Sequence, residues 1–393
     1  MDRFWSWLPE ILAALAGFVA LRRLAAAIGR TADARARPAL WALAAWIAVG
    51  LILTLSRAAH RWPGWAWLEW IRGTAPLAAG GVLFAHGLFA LWRRSAACDP
   101  RRRSFLRIVA GAVASGPPAA VAFGILVERL GARRLVVEMP VPELPEDLEG
   151  LRIVQLTDIH LGPFLGAREL AWAVAMANEF RPHLAVVTGD LISAGNGSLQ
   201  ACLAELARLR AEAGVLGCHG NHEIYAGAEA LATRLGSRWG LCFLRQQSRL
   251  LRFGRAALNV AGVDYQRRGR PYLRDAAELV HPGAVNLLLS HNPDVFPVAA
   301  RLGFQLVLAG HTHGGQVNVE ILGEHLNIAR FWTPFVYGLY VNQRALLFVS
   351  RGLGTVGIPL RLGAPPEIVC LRLRRAANTA AKRESDDRCA IWS

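Results

Sequence analysis

The chain has 393 residues, a formal charge of +15 and 53% hydrophobic residues. That length allows two or three domains, and a positive mean hydropathy is high for a wholly soluble enzyme. Arginine supplies nearly all the basic charge, with Lys382 the only lysine, so the charge is discounted as a sign of nucleic-acid binding.

The hydrophobic excess lies in the first third. Four apolar stretches, 4–21, 39–55, 75–92 and 105–127, each have about the length that crosses a hydrocarbon core of roughly 30 Å as a helix. Arg22, Arg23, Arg30, Arg35 and Arg37 separate the first two. Arg93, Arg94, Arg101, Arg102 and Arg103 separate the last two, whereas the middle connection has only Arg57, Arg61 and Arg72 against Glu69. Positive loops stay cytoplasmic, so the chain after residue 127 is expected outside. "RRRSFLR" (101–107) is similar to the twin-arginine export motif and agrees with that orientation. The expectation is a multi-pass protein of a bacterial inner membrane with an extracytoplasmic catalytic domain. The fourth stretch is the weakest span, because Pro117 and Pro118 lie at its centre.

The organisation expected is a transmembrane region over 1–130, a connector with the first strand over 131–150, a catalytic domain over 151–375 and a disordered tail over 376–393. None of the six cysteines forms a CxxC pair, and buried thiols are expected.

After the proline-marked connector the pattern becomes short apolar runs with helical segments between them, at 167–180 and 199–213. The runs end in metal-capable side chains. "LRIVQLTDIHLG" ends in Asp158 and His160, "HLAVVTGD" in Asp190, and "GVLGCHGNHE" in Asn221, His222 and Glu223. "VNLLLSHNPD" ends in His291 and Asp294, and "FQLVLAGHTHGGQ" in His311 and His313. Unalternating apolar runs suit strands buried on both faces, and ligands collect at the carboxyl ends of such strands. Carboxylates, imidazoles and one amide, without a thiolate, fit Mn, Fe or Zn. The set is too large for one ion, so two divalent metal ions sharing a carboxylate are expected.

Taken in order, Asp-x-His, Gly-Asp, Gly-Asn-His-Glu, a later His and Gly-His-x-His resemble the calcineurin-like metallophosphoesterases. "GHTHGGQ" and "SRGLGTVGIPLRLGAPPEI" (350–368) resemble the bacterial membrane-associated phosphodiesterase branch, and the likeness covers about residues 135–373. The resemblance implies a four-layer αββα sandwich, here preceded by an N-terminal bundle of about four transmembrane helices. It also implies that Asp158, His160 and His313 hold one ion, that Asn221, His291 and His311 hold the other, and that Asp190 bridges. His222 would face the substrate as the catalytic acid, and a hydroxide between the metals would attack phosphorus.

Glu223, Asp264, Arg351 and Arg361 are further candidates, either behind the ligands or against substrate phosphate. His183, His219 and His281 read as ordinary strand or turn residues. The substrate expected is a phosphodiester, lipid-linked or nucleotide-containing, with no specific nucleic acid as partner. A non-catalytic metal-binding sensor and a nuclease stay open as alternatives. A Ser/Thr protein phosphatase is disfavoured, since "LISAG" follows Asp190 where that class continues to Asp-Arg-Gly.

Overall fold

The computed structural model describes residues 2–30, 36–56, 66–94, 116–193, 197–267, 271–321 and 324–376. The export-like motif at 101–107 and the tail from 377 lie outside them. Helices α1 (Asp2–Arg30), α2 (Ala36–Ser56) and α3 (Ala66–Arg94) come first. Residues 116–126 form a further helix, α4. The first three pack around Ala20, Leu24, Ile47 and Ala79, while Leu15, Phe18, Trp41 and Ile52 point outward and are more than half exposed.

Among the described residues two helices are long and apolar enough to cross a membrane, over Leu12–Arg30 and Arg37–Thr54. Their apolar windows are only 22% and 17% buried, unlike the core helices of a soluble protein. The expected bundle of about four crossing helices is therefore supported for two. Helix α3 starts at Ala66 rather than residue 75, and its added first turns carry the ion pair Glu69–Arg72. Of the fourth stretch, residues 105–115 lie outside the described part.

Beyond α4, two six-stranded sheets face each other. The first has the order β1 (Arg133–Val141), β14 (Glu367–Arg375), β2 (Arg152–Leu156), β3 (Leu184–Thr188), β4 (Val215–Cys218), β5 (Leu241–Phe243). The second runs β12 (Gly338–Asn342), β13 (Ala345–Val349), β9 (Leu306–Ala309), β8 (Val285–Leu289), β7 (Ala256–Gly262), β6 (Gln247–Phe253). Strands β2 to β5 are mutually parallel, as are β7, β8, β9 and β13. A small antiparallel hairpin, β10 (Asn318–Ile321) with β11 (Glu324–Asn327), stands apart.

Ile153, Leu184 and Val186 of one sheet meet Leu258, Leu287, Leu308 and Phe348 of the other in the central core. Burying a side chain of this kind stabilises by about 1.5–3 kcal/mol, which explains why β2, β3, β8 and β9 are apolar without alternation. The outer face of the first sheet is covered by α5 (Ala167–Glu179), α6 (Leu199–Leu206) and α8 (Glu229–Arg238). Helix α9 (Phe296–Leu302) packs on the outer face of the second. The layers are thus helix, sheet, sheet, helix.

Helix α6 is shorter than the expected 199–213. The Asn178 amide donates to the Arg208 carbonyl at 2.9 Å and accepts from the Arg210 N–H at 2.8 Å, taking the backbone groups that a continuing helix would use. Cys202, Cys218 and Cys370 are buried free thiols, and Cys242 is half-buried.

Candidate metal centre

Five parallel strands from both sheets end at one place. Strands β2, β3 and β4 deliver Asp158, His160, Asp190, Asn221 and His222; β8 and β9 deliver His291, His311 and His313. Two bonds lock the sheets together beneath them. Gln155 Nε2 donates to the Ala309 carbonyl at 2.9 Å, and His291 Nδ1 donates to the Thr188 carbonyl at 2.8 Å.

The chain turns sharply at each strand end. Asp158, His160, Asp190, His311 and His313 all have positive φ, between 48° and 75°, a region that costs non-glycine residues energy and recurs at functional sites. Glycines make room for the carboxylates. A Cβ on Gly220 would fall 2.1 Å from Asp190 Oδ1, and one on Gly310 would fall 2.2 Å from Asp158 Oδ2.

The donor atoms form two groups. His160 Nε2 is 3.1 Å from His313 Nε2 and 3.4 Å from Asp190 Oδ2, and His313 Nε2 is 3.4 Å from Asp158 Oδ1. In the second group His311 Nδ1 is 3.2 Å from His291 Nε2, which is 3.1 Å from Asp190 Oδ2. Ligand atoms about 2.1 Å from a shared cation stand about 3.0 Å apart on an octahedral edge and about 3.4 Å apart on a tetrahedral one. The spacings fit two cations with Asp190 common to both. His160, Asp190 and His222 also gather closely enough to hold an ion.

The protonation pattern fits as well. Burial, then the neighbouring imidazole of His222 for one and of His291 for the other, pushes His160 and His311 down to about 3, which keeps their nitrogens free of protons and able to ligate. Burial would also lower His291, yet the Asp190 and Asp158 carboxylates facing its Nε2 raise it to about 10. A cation beside Nε2 would replace that proton. Buried Asn221 Oδ1 has no hydrogen-bond partner among the described residues, as expected of an oxygen reserved for a metal.

Glu223 is fully buried, and its carboxylate accepts the N–H groups of Asp190, Leu191 and Gly220 at 2.8–2.9 Å. It sets the turn that aims Asp190. The His222 ring is half-buried, with Nδ1 2.5 Å from the Ser193 carbonyl and the ring edge-to-face with His160 at 4.5 Å between centroids.

Three further sequence candidates have partners of their own. Asp264 forms a two-pronged ion pair with Arg245 at 2.8–3.1 Å and is not among the gathered donors. Arg361 is wholly buried behind His313, its Nη2 3.4 Å from His313 Nδ1 and its other donors on the carbonyls of Gly354 and Ala364. Its donors are thus taken by protein groups. Arg351 lies over the Tyr337 ring at 3.7 Å. Asp294 accepts from Thr333, His219 pairs with Thr233, and His183 accepts from the Arg152 N–H. Two neighbours went unnoticed in the sequence. The ring of Tyr265 is 5.4 Å from that of His311, and Tyr225 is 5.8 Å from His222. The only signal was their position just after a strand-end motif.

Comparison with known proteins agrees with this geometry. The family model described as calcineurin-like phosphoesterase matches residues 151–315. A transmembrane protein with metallophosphoesterase domain from Danio rerio is 33% identical over 255 residues, 61% of this chain and 57% of that protein. An uncharacterized metallophosphoesterase of Campylobacter jejuni is 34% identical over 244 residues, 61% of this chain and 62% of its own length. One from Aquifex aeolicus is 30% identical over 250 residues, covering 60% of this chain and 89% of that one. The chain belongs to the calcineurin-like metallophosphoesterases. It spans little more than half the length of the Danio rerio relative. Of the seven residues expected to hold metal, Asp158, His160, Asp190, His291, His311 and His313 gather closely enough to share ions, and buried Asn221 follows the end of β4.

Proposed function

We propose that this chain is a membrane-anchored phosphoesterase that hydrolyses a phosphodiester on a lipid-linked or nucleotide-containing substrate. The observation that carries the reading is the pair of donor sets sharing Asp190. Asp158, His160 and His313 would hold one divalent cation, and Asn221, His291 and His311 the other, with Mn, Fe or Zn suited to these donors. Bound there, the cations would supply Lewis acidity, acidifying the attacking water and offsetting charge on the phosphoryl oxygens. The chain's own residues supply the rest. Glu223 fixes Asp190, and Arg361 fixes the back of His313. The Ser193 carbonyl takes one ring proton of His222, leaving Nε2 to face the substrate and protonate the leaving oxygen.

In this reading residues 1–130 anchor the protein, 131–150 connect, and 151–375 carry the catalysis on the outer side of a bacterial inner membrane. The helix ends support that orientation. Trp70 and Gly73 near the start of α3 touch Pro163, Phe164 and Pro359 of the catalytic part. Arg93 and Arg94 close the same helix, about 30 Å further along it, close to one hydrocarbon thickness.

The test is the full chain in detergent with Mn²⁺, given methyl p-nitrophenyl phosphate and p-nitrophenyl phosphate side by side. Faster cleavage of the diester is expected. Metal binding without cleavage of either ester would favour the sensor reading instead.

A further inference from the structure

Beside the metal centre the chain raises an apolar prong. From β11 onward it carries Leu326 in the strand and Ile328 and Phe331 just after it, which are 59%, 56% and 84% exposed; among the described residues no large apolar side chain is more exposed than Phe331. Exposed Arg330 stands next to them. Nothing in the local sequence requires three large apolar groups in water, and such a group with a basic neighbour is the make-up of a segment that lies in a membrane interface.

The prong is rigidly based. Asn327 Nδ2 donates to the Gly314 carbonyl at 2.9 Å, and Thr312 Oγ1 donates to the Val336 carbonyl at 2.6 Å. Both ends therefore rest on the loop that carries His311 and His313. The same loop leads to the anchor. Gln316 Nε2 donates to the carbonyls of Val356 and Ile358 at 3.1 Å each. The adjoining residues Gly357 and Pro359 meet Gly73 of α3 so closely that a Cβ there would fall 2.8 Å from Pro359 Cδ. Val356 beside them is a further exposed apolar residue, 40% exposed. A chain of contacts thus runs from the base of the prong, through the metal loop, to Gly73 of α3.

We propose that the prong inserts into the lipid interface, so that the metal centre works on a phosphoester whose apolar tail stays in the bilayer. The proposal rests on the phosphoesterase reading and narrows its substrate to a membrane-resident amphiphile. A lipid surface is favoured over a second copy of the chain because the contacts through Gly314, Gln316 and Pro359 tie the base of the prong to the helices read here as the membrane anchor.

Two readouts on the full chain in phosphatidylethanolamine–phosphatidylglycerol vesicles test it. In the first, a fluorescent amino acid replaces Phe331, or Arg252 on the remote edge strand β6, and spin-labelled lipid is added as quencher. Quenching at 331 but not at 252 is expected. Equal absence of quenching would overturn the proposal, as would burial of the probe that tracks protein concentration instead of lipid. The second readout uses the doubly substituted Ile328→Ser, Phe331→Ser chain. Its turnover of vesicle-embedded hexadecyl p-nitrophenyl phosphate should fall about tenfold or more, with soluble methyl p-nitrophenyl phosphate cleaved within about twofold of the parent rate. Equal loss on both esters would overturn the proposal by making the prong a mere support for the metal loop. If the parent cleaves neither ester, the phosphoesterase reading fails, while the quenching experiment still decides insertion.

Discussion

Asp190 and His291 come from different sheets, yet Asp190 Oδ2 and His291 Nε2 stand 3.1 Å apart. The carboxylate and its neighbour Asp158 hold a proton on that imidazole to about pH 10 against the opposing effect of burial. Metal and proton therefore compete for one nitrogen. The raised value means the metal-free protein carries the proton at neutral pH, so metal loading should release it, and affinity should rise with pH up to about that value. Calorimetric titration with Mn²⁺ in buffers of different ionisation enthalpy measures the release. A heat independent of buffer would contradict this pairing.

His222 and His313 should separate chemistry from metal binding. His222→Ala is expected to keep both ions and lose a factor of about 10²–10⁴ in turnover, the usual contribution of a positioned acid. His313→Ala should lose metal and turnover together. Metal analysis beside steady-state rates checks both, and an emptied metal site in His222→Ala would reassign that residue as a ligand.

Glu223 caps three buried N–H groups at once. Glu223→Ala strands them, at a cost on the order of 3 kcal/mol even if water reaches some of them. Thermal unfolding of the metal-free protein should show the loss. Glu223→Gln should recover only part of it, since its one carbonyl oxygen can accept from Asp190 and Gly220 while its NH2 then faces the Leu191 N–H. An unchanged melting temperature in Glu223→Ala would remove its role in shaping the turn.

The orientation has its own test. Alkaline phosphatase fused after residue 375 should be active and green fluorescent protein at the same point should be dark, since the start of α3 meets the catalytic part and its basic end lies far from it. Bright fluorescence without phosphatase activity would put the site in the cytoplasm.

Much of the site was legible because its signals are local. A run such as "LAVVTGD" states both a buried strand and the carboxylate that ends it, so Asp158, His160, Asp190, His291, His311 and His313, which the fold gathers, could be named from separate stretches. The unread parts depend on distant partners. Arg361 looks like a phosphate-binding residue in its glycine-rich turn, and only the packing of 351–364 behind His313 turns it inward. Asp264 ends an apolar run as the true cluster members do, but Arg245 from the neighbouring strand end claims it. Helix α6 stops early for a similar reason, since Asn178 on α5 captures the next turn's backbone. For the membrane helices, apolar length was visible in the sequence. The contact of Trp70 and Gly73 with the catalytic part was not, because it requires residues nearly 300 positions apart in the chain, such as Gly73 and Pro359.

The most direct test of the two-metal account is the metal content and diesterase rate of the purified full chain, compared with Asp190→Ala after identical Mn²⁺ loading and removal of loose metal. The account predicts about two ions per parent chain, weakened binding at both positions in the variant, and hydrolysis of methyl p-nitrophenyl phosphate by the parent alone. A variant that kept two tightly bound ions, or a parent that cleaved the diester equally well after its metal had been stripped, would contradict it.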